Sequence, residues 1–494
     1  MSGLMNDWTF TGICLLFAIA TAFLIRLNYQ LKLVPAEISN VSSPPWTPKL
    51  LQDTYRRLER HPVDYLSKLP PRLDRRYIIT GGNGLVGGYI VLQLLARGTP
   101  AANIRILDIR KSQRDDINNS SAAEVDFVRT DITSTESVKS AFEKPWDASV
   151  EKLPLTVFHT AAIILASENS EHTYRYSEAV NVTGTKNLLA AAKNAGADVF
   201  SATSSASIGI RIVKPTWPWA AQLLNFWQLL DERDFFKALV PRSQLFSNYA
   251  ISKAVAERLV CDENSDSFRT GTIRPANGIY GHPVDNTLGV PLAKTVLPTW
   301  VPHIVQSFVH AANISVAHLH HEAVLVAKDA QAPQTGRPFV ITDPNPPIRY
   351  QDMYTAIETL SRFPFRCLYL PPGLMFALSY LVEFYTLLPH RVPLLKHILP
   401  VIKGDLKHLQ PGLFSICTHA VGIDTEARKS VEEGGLGYEG LITTLDGMAL
   451  EILEWNREHQ DEQRGTISRK SYVNSLVVAD EIRHMLSIGG VGSA

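Results

Sequence analysis

Cysteine is scarce. The 494 residues hold four, Cys14, Cys261, Cys367 and Cys417, far apart and with no C-x-x-C pair. That excludes a disulfide scaffold and a thiolate zinc site, and a reducing compartment is the simplest reading. An excess of one charge sign is missing too. Lys+Arg and Asp+Glu are 48 each, so the formal net charge is zero. No basic surplus draws the chain to nucleic acid, and no nucleic-acid partner is expected. Charged residues reach only 19%, below the ~25% usual for soluble domains, which hints at lipid contact or a large buried surface. Hydrophobic residues make up 45%, enough for a sizeable core and too many for global disorder. The length suits two to four domains or one long enzyme domain.

One apolar run stands out. Trp8 to Ile25 (WTFTGICLLFAIATAFLI) carries no charge. As a helix it spans about 27 Å, close to the thickness of a thin bilayer. The preceding MSGLMND lacks the basic n-region of a cleaved signal peptide, so an uncleaved anchor is favoured over a signal peptide or a buried helix. Basic residues (Arg26, Lys32) follow the run and none precede it. The positive-inside rule then puts the bulk of the chain in the cytoplasm, single-pass. Residues 34–73 are rich in Pro and polar residues and read as a linker, with a short helix around Leu50 to Arg60.

Arg75 to Gly82 (RRYIITGG) is a β-rich run ending in glycines, and GLVGGYIVLQLLARG continues as a helix. Between them Gly81, Asn83, Gly84, Leu85, Val86 and Gly87 form a TGxxGxxG loop. Gly81 permits a tight turn, Gly84 lets backbone approach a pyrophosphate, and Gly87 lets the helix pack on the sheet; the helix N-terminus favours phosphate charge. Asp108 ends the next β run (IRILD), where a carboxylate accepts from an adenine-ribose hydroxyl and repels a 2′-phosphate. NAD is therefore expected rather than NADP, although Arg110 nearby could receive that phosphate. Asp131 and Ile132 end the third run, where adenine would lie; VFHTAA and ADVFSATSSA supply the fourth and fifth. Alternating β and α at this spacing predicts a doubly wound parallel sheet of the Rossmann type. His159 alone reads as structural.

Tyr249-Ala-Ile-Ser-Lys253 places a phenol and an ammonium one turn apart on a predicted helix. A phenol with an ordinary pKa of about 10 is a poor base near neutrality. A neighbouring cation lowers that value, so Tyr249 becomes a candidate general acid/base with Lys253 as its tuner. Ser205, after the fifth β run, would hold the substrate oxygen. The series of glycine loop, acidic second strand, serine after the fifth strand and Y-x-x-x-K is unlikely to arise by chance in that order.

In this ordered series the chain resembles the extended short-chain dehydrogenase/reductases. More narrowly it is similar to the 3β-hydroxysteroid dehydrogenase/isomerase family, which includes sterol-4α-carboxylate 3-dehydrogenases. TGGNGLVGG, LDIR, VFHTAA, NVTGTKNLL, SATSSAS, YAISKAVAE, TIRPANGIYG, the AHLHHEAVLVA segment and FVITDPNPPIRYQDM carry the resemblance, from about Arg75 to Trp455. It implies catalytic roles for Ser205, Tyr249 and Lys253. It implies cofactor contacts for Gly81, Gly84, Gly87, Asp108 and Asp131, and places Pro275 against a nicotinamide. It also implies a hydrophobic steroid- or sterol-like alcohol as substrate, and membrane lipid, of the endoplasmic reticulum, as surroundings. A homodimer stays open. A nucleotide-sugar epimerase, a dihydroflavonol-type reductase and a catalytically idle NAD(H)-binding scaffold are the rivals. One departure is the length between Ser205 and Tyr249, where an apolar, aromatic insertion at about 211–244 reads as a substrate lid or a packed surface helix.

The expected organisation is an anchor (1–33), the linker (34–73), a NAD-binding domain (74–285), a smaller substrate part (286–456) and a polar tail (457–494). His318-Leu-His320-His321 lacks the partners of a metal site, and no metal is expected. Leu374 to Leu388, with the basic stretch after it to about residue 403, reads either as an interfacial element or as a buried helix. The tail receives no function.

Overall fold

The computed structural model describes residues 2–214, 223–460 and 472–489. Seven parallel strands form the main sheet: β1 (Arg76–Thr80), β2 (Ile104–Asp108), β3 (Asp126–Arg129), β4 (Leu155–His159), β5 (Ala197–Thr203), β6 (Arg269–Pro275) and β7 (Pro338–Ile341). Their order is β7-β6-β5-β4-β1-β2-β3. The runs are apolar because both faces are covered: Ile78, Ile79, Val157, Phe158 and Phe200 are fully buried. The chain reverses direction across the sheet between β1 and β4, which pair directly. Crevices beyond the carboxyl ends of the strands at such a switch point are where ligands bind. Three helices matter to that crevice or its back: α2 (Leu85–Ala96), α3 (Asn248–Asp262) and α4 (Ala311–Ala327).

A second sheet of four short strands lies in the later half, ordered 348–349, 305–306, 419–422 and 227–230. The last strand belongs to the insertion. Trp227–Leu230 pairs in parallel with His419–Gly422, and Lys214 bridges Leu224. Where it is described, the insertion is therefore neither a surface helix nor a free flap: it gives an edge strand to this sheet. Its residues 215–222 lie outside the described residues.

Helix α1 (Ser2–Gln30) includes a stretch, Trp8–Gln30, long and apolar enough to cross a bilayer. Trp8, Phe10, Leu16 and Phe17 are exposed, whereas Leu27 and Leu31 are buried. The expected linker is not a free tether. It carries helix 48–60, with Ile38, Leu51 and Leu58 buried, because a few apolar residues at helical spacing suffice to dock it. Helix α5 (Pro372–Arg391) buries Phe376, Ser379 and Val382 and exposes Leu374, Leu381 and Phe384. Its Gly373 backbone meets α1, where the amide donates to Asn28 Oδ1 at 3.1 Å. A Cβ on Gly373 would come within 2.9 Å of Asn28.

Candidate active site

The glycine loop is built from bare backbone. Gly81 has φ +69°, a left-handed conformation natural only to glycine. A Cβ on Gly87 would sit 2.4 Å from the Gly81 carbonyl oxygen. Gly84 caps the start of α2 without a side chain, leaving that end of the helix to other acceptors. Asp108, expected to face a ribose, also staples the loop: Oδ2 accepts from the Asn83 amide at 3.1 Å and Oδ1 from the Arg110 amide at 3.4 Å. Burial raises its pKa, and these amide bonds oppose the rise. Asn83 Nδ2 donates to the Arg110 carbonyl at 2.7 Å. Asp131 turns the chain after β3, accepting from the Thr133 amide at 2.9 Å, and Ile132 is buried behind it. Leu85 and Val86 open α2, and Pro275 ends β6. The cradle of Gly81, Gly84 and Gly87, with an anion-ready helix start and a carboxylate at the second strand, fits a nicotinamide dinucleotide.

Ser205, Tyr249 and Lys253 meet at the carboxyl end of β5. Ser205 begins a short 3₁₀ turn, and its hydroxyl lies 2.7 Å from that of Ser207. Tyr249 and Lys253 are buried on one side of α3. Lys253 Nζ donates to the Thr203 carbonyl at 2.7 Å. The expectation that Lys253 lowers the Tyr249 pKa meets a stronger opposing effect here. Burial pushes Tyr249 up to about 12, against a hydrogen bond with Ser205 that acts downward. Burial also pushes Lys253 down to about 8, and Glu257 acts the other way. Both groups lose water, so each is held toward its neutral form.

Sequence reasoning missed what holds this corner. Glu257 lies one turn beyond Lys253 and is buried. It forms a two-pronged pair with Arg274, at 2.5 and 2.8 Å. It also accepts from Ser204 Oγ at 2.6 Å. Arg274 in turn reaches Asp234 of the insertion at 2.7 Å. The 249/253/257 spacing was the available signal. His318 and His321 face inward from α4: both lie 2.8 Å from Ser201 Oγ, and His318 Nε2 lies 2.8 Å from Thr203 Oγ1. Burial lowers both pKa values, so they serve as neutral hydrogen-bonding groups behind β5. His159 bridges Thr80 and Thr185 in the same way.

The family model for the 3-beta hydroxysteroid dehydrogenase/isomerase family matches residues 78–215 and 237–361, more than half of the chain. The chain belongs to that family. Membership makes it an oxidoreductase of the CH–OH class with a nicotinamide dinucleotide cofactor. It is 25% identical over 400 residues to the mouse short-chain dehydrogenase/reductase family 42E member 1, covering 78% of this chain and 88% of that protein. It is 27% identical over 291 residues to human sterol-4-alpha-carboxylate 3-dehydrogenase, decarboxylating, covering 57% and 65%. Among solved structures, a UDP-glucose-4-epimerase from Stenotrophomonas maltophila with bound NAD is similar in fold, with TM-score 0.50 and 16% identity over 79% of this chain and all of that one.

Proposed function

We propose that this family member is a membrane-anchored, NAD-dependent dehydrogenase that oxidises the secondary alcohol of a sterol- or steroid-like substrate. The meeting of Ser205, Tyr249 and Lys253 at one strand end beside the glycine cradle carries the reading. Ser205 Oγ is available to hold the substrate oxygen. Tyr249 Oη takes the hydroxyl proton, and Lys253, held by the Thr203 carbonyl and still protonated below about pH 8, supplies positive charge that works against the burial effect on the phenol. Gly81, Asn83, Gly84, Leu85, Val86, Gly87, Asp108, Asp131, Ile132 and Pro275 are the proposed cofactor contacts. NAD bound there supplies the hydride acceptor. The Asp108 carboxylate at the adenosine end favours NAD over NADP, since it repels a 2′-phosphate.

Residues 286–456 form the proposed substrate-binding part, and α1 the anchor, with the catalytic mass on the cytoplasmic side. The exposed Leu374, Leu381 and Phe384 of α5, beside α1, support lipid contact there. Where the substrate carries a carboxylate next to the alcohol, the ketone is a β-keto acid and loses CO₂ unaided. Tyr249→Phe tests the reading. NADH formation over a panel of 3β-hydroxysteroids and 4-carboxysterols should fall by at least about 100-fold, with NADH affinity kept. Full turnover in that variant defeats the assignment.

A further inference from the structure

The tail is not a bystander. Helix α6 (Ser475–Gly489) is capped by Asn474, whose Oδ1 accepts from the amides of Leu476 and Val477 at 3.1 and 3.2 Å. Its Ala479 is 1% exposed. Ala479, Ile482 and Leu486 lie at helical spacing and join the apolar cluster that contains Ile132, Ile163, Leu165 and Tyr176. Those residues follow β3 and β4 at the carboxyl edge of the sheet, where the crevice opens.

The polar rim of α6 reaches both ends of that crevice. At the adenosine end the Val473 amide donates to Gln113 Oε1 at 3.2 Å, and Glu481 lies 3.7 Å from Arg110. At the reacting end Arg483 pairs with Glu168 and stands over the Tyr176 ring at 5.0 Å. The Glu168 carbonyl accepts from the Asn248 amide at 2.7 Å, next to Tyr249. Asp480 pairs with Lys407. The helix thus lies along the mouth that a dinucleotide must enter. It engages Arg110, the cation beside the ribose position, and covers apolar side chains behind Asp131.

We propose that α6 is an autoinhibitory strap, seated in the dinucleotide crevice and displaced when the cofactor binds. The proposal rests on the dinucleotide reading of the crevice given above. The seat suits a reversible device. One small side chain is fully buried, two larger ones are half-buried, and the pairs of Glu481 with Arg110 and Asp480 with Lys407 are partly exposed and therefore weak, which leaves the pair of Arg483 with the buried Glu168 as the main charged hold. A fraction of molecules with the helix lifted sets the apparent affinity, which improves when that fraction grows.

The test is NADH titration of the full-length chain by fluorescence, beside two full-length variants. Ala479→Glu/Ile482→Glu places charge in the apolar seat. Arg483→Glu sets a second carboxylate against Glu168, turning attraction into repulsion while leaving the apolar stripe intact, and serves if the first variant folds poorly. Either variant should bind NADH about tenfold more tightly than the unaltered chain. In the unaltered chain, saturating NADH should speed hydrogen exchange at amides 476–486. Unchanged affinity in a folded variant overturns the proposal. So does weaker binding, or slower exchange, since both describe a lid that closes on the cofactor. No NADH binding by any of the three proteins overturns the dinucleotide reading and the strap with it.

Discussion

Gly87 has no room for a side chain. A Cβ there would lie 2.4 Å from the Gly81 oxygen, 2.7 Å from the Gly82 Cα and 2.8 Å from Thr160 Oγ1. Two of these neighbours are backbone and cannot rotate away. Gly87→Ala must open the loop, at about 1–3 kcal/mol of overpacking, and NADH affinity should fall about tenfold or more by titration. Glu257 makes a different prediction. Its carboxylate raises the Lys253 pKa, which burial has brought to about 8. Glu257→Gln removes that support, so Lys253 loses its proton at a lower pH. The alkaline limb of the kcat/KM profile for alcohol oxidation should move toward acid, and an unmoved limb counts against Lys253 as the titrating group. The same change leaves Arg274 with Asp234 as its one paired carboxylate, beside the Asp231 carbonyl, costing about 3 kcal/mol in urea unfolding. Spacing showed that Tyr249 and Lys253 share a face, because one turn of helix dictates it, and the order of glycine loop, acidic strand end and serine singled the pair out. Glu257 stood on the same stripe, but its worth depends on Arg274 in another strand, which spacing cannot reveal.

At the level of elements, the first five strands of the main sheet were legible as short β-rich runs set off by glycines or helical patterns, whereas β6 and β7 stood only within segments that carried the family resemblance. The insertion was not legible. Trp227–Leu230 finds its partner in His419–Gly422, a pairing too distant in sequence for local pattern to indicate. The family model is silent over this stretch, between 215 and 237. Yet Glu232 Oε1 accepts from the Val340 amide at 2.6 Å, and Asp234 reaches Arg274. The insertion therefore braces β6 and β7 and, through Arg274, helix α3. Asp234→Ala should lower stability by about 1–3 kcal/mol and kcat with it, leaving NADH affinity close to unchanged. Loss of NADH binding instead would place the insertion's influence at the cofactor. Helix α5 shows two faces for the same reason that the sequence left two readings open. Its buried face packs near α1, and its other face is apolar and exposed. Leu381→Glu/Phe384→Glu removes apolar area worth about 1.5–3 kcal/mol per side chain if lipid covers it. Co-sedimentation with phosphatidylcholine vesicles should weaken by about tenfold or more in a chain lacking residues 2–25.

Across the whole molecule, α5 and the stretch after it connect α1 to the crevice. Leu27 and Leu31 share an apolar cluster with Phe376, Val382 and Phe414. At the far end of α5, His390 stacks on His172 at 5.5 Å between ring centroids, and Lys407 pairs with Asp480 of α6. The exposed Leu394, Ile398 and Val401 lie between these contacts. One module thus touches α1, the wall of the crevice and α6. Helix α1 contributes little to the fold before Leu27, since Trp8, Phe10, Leu15, Leu16, Phe17, Ile19 and Ile25 all face outward. Removing residues 2–25 should therefore leave thermal unfolding within about 2 °C, a change no larger than surface substitutions produce. NADH affinity should be equally unaffected. On the anchor proposal, vesicle binding should drop steeply, since only a patch that rests on the surface is left. The residual binding then isolates the α5 face, and the double substitution above should abolish it. If the shortened chain unfolds more than 10 °C lower, α1 is a packed part of the fold and not an anchor laid against it.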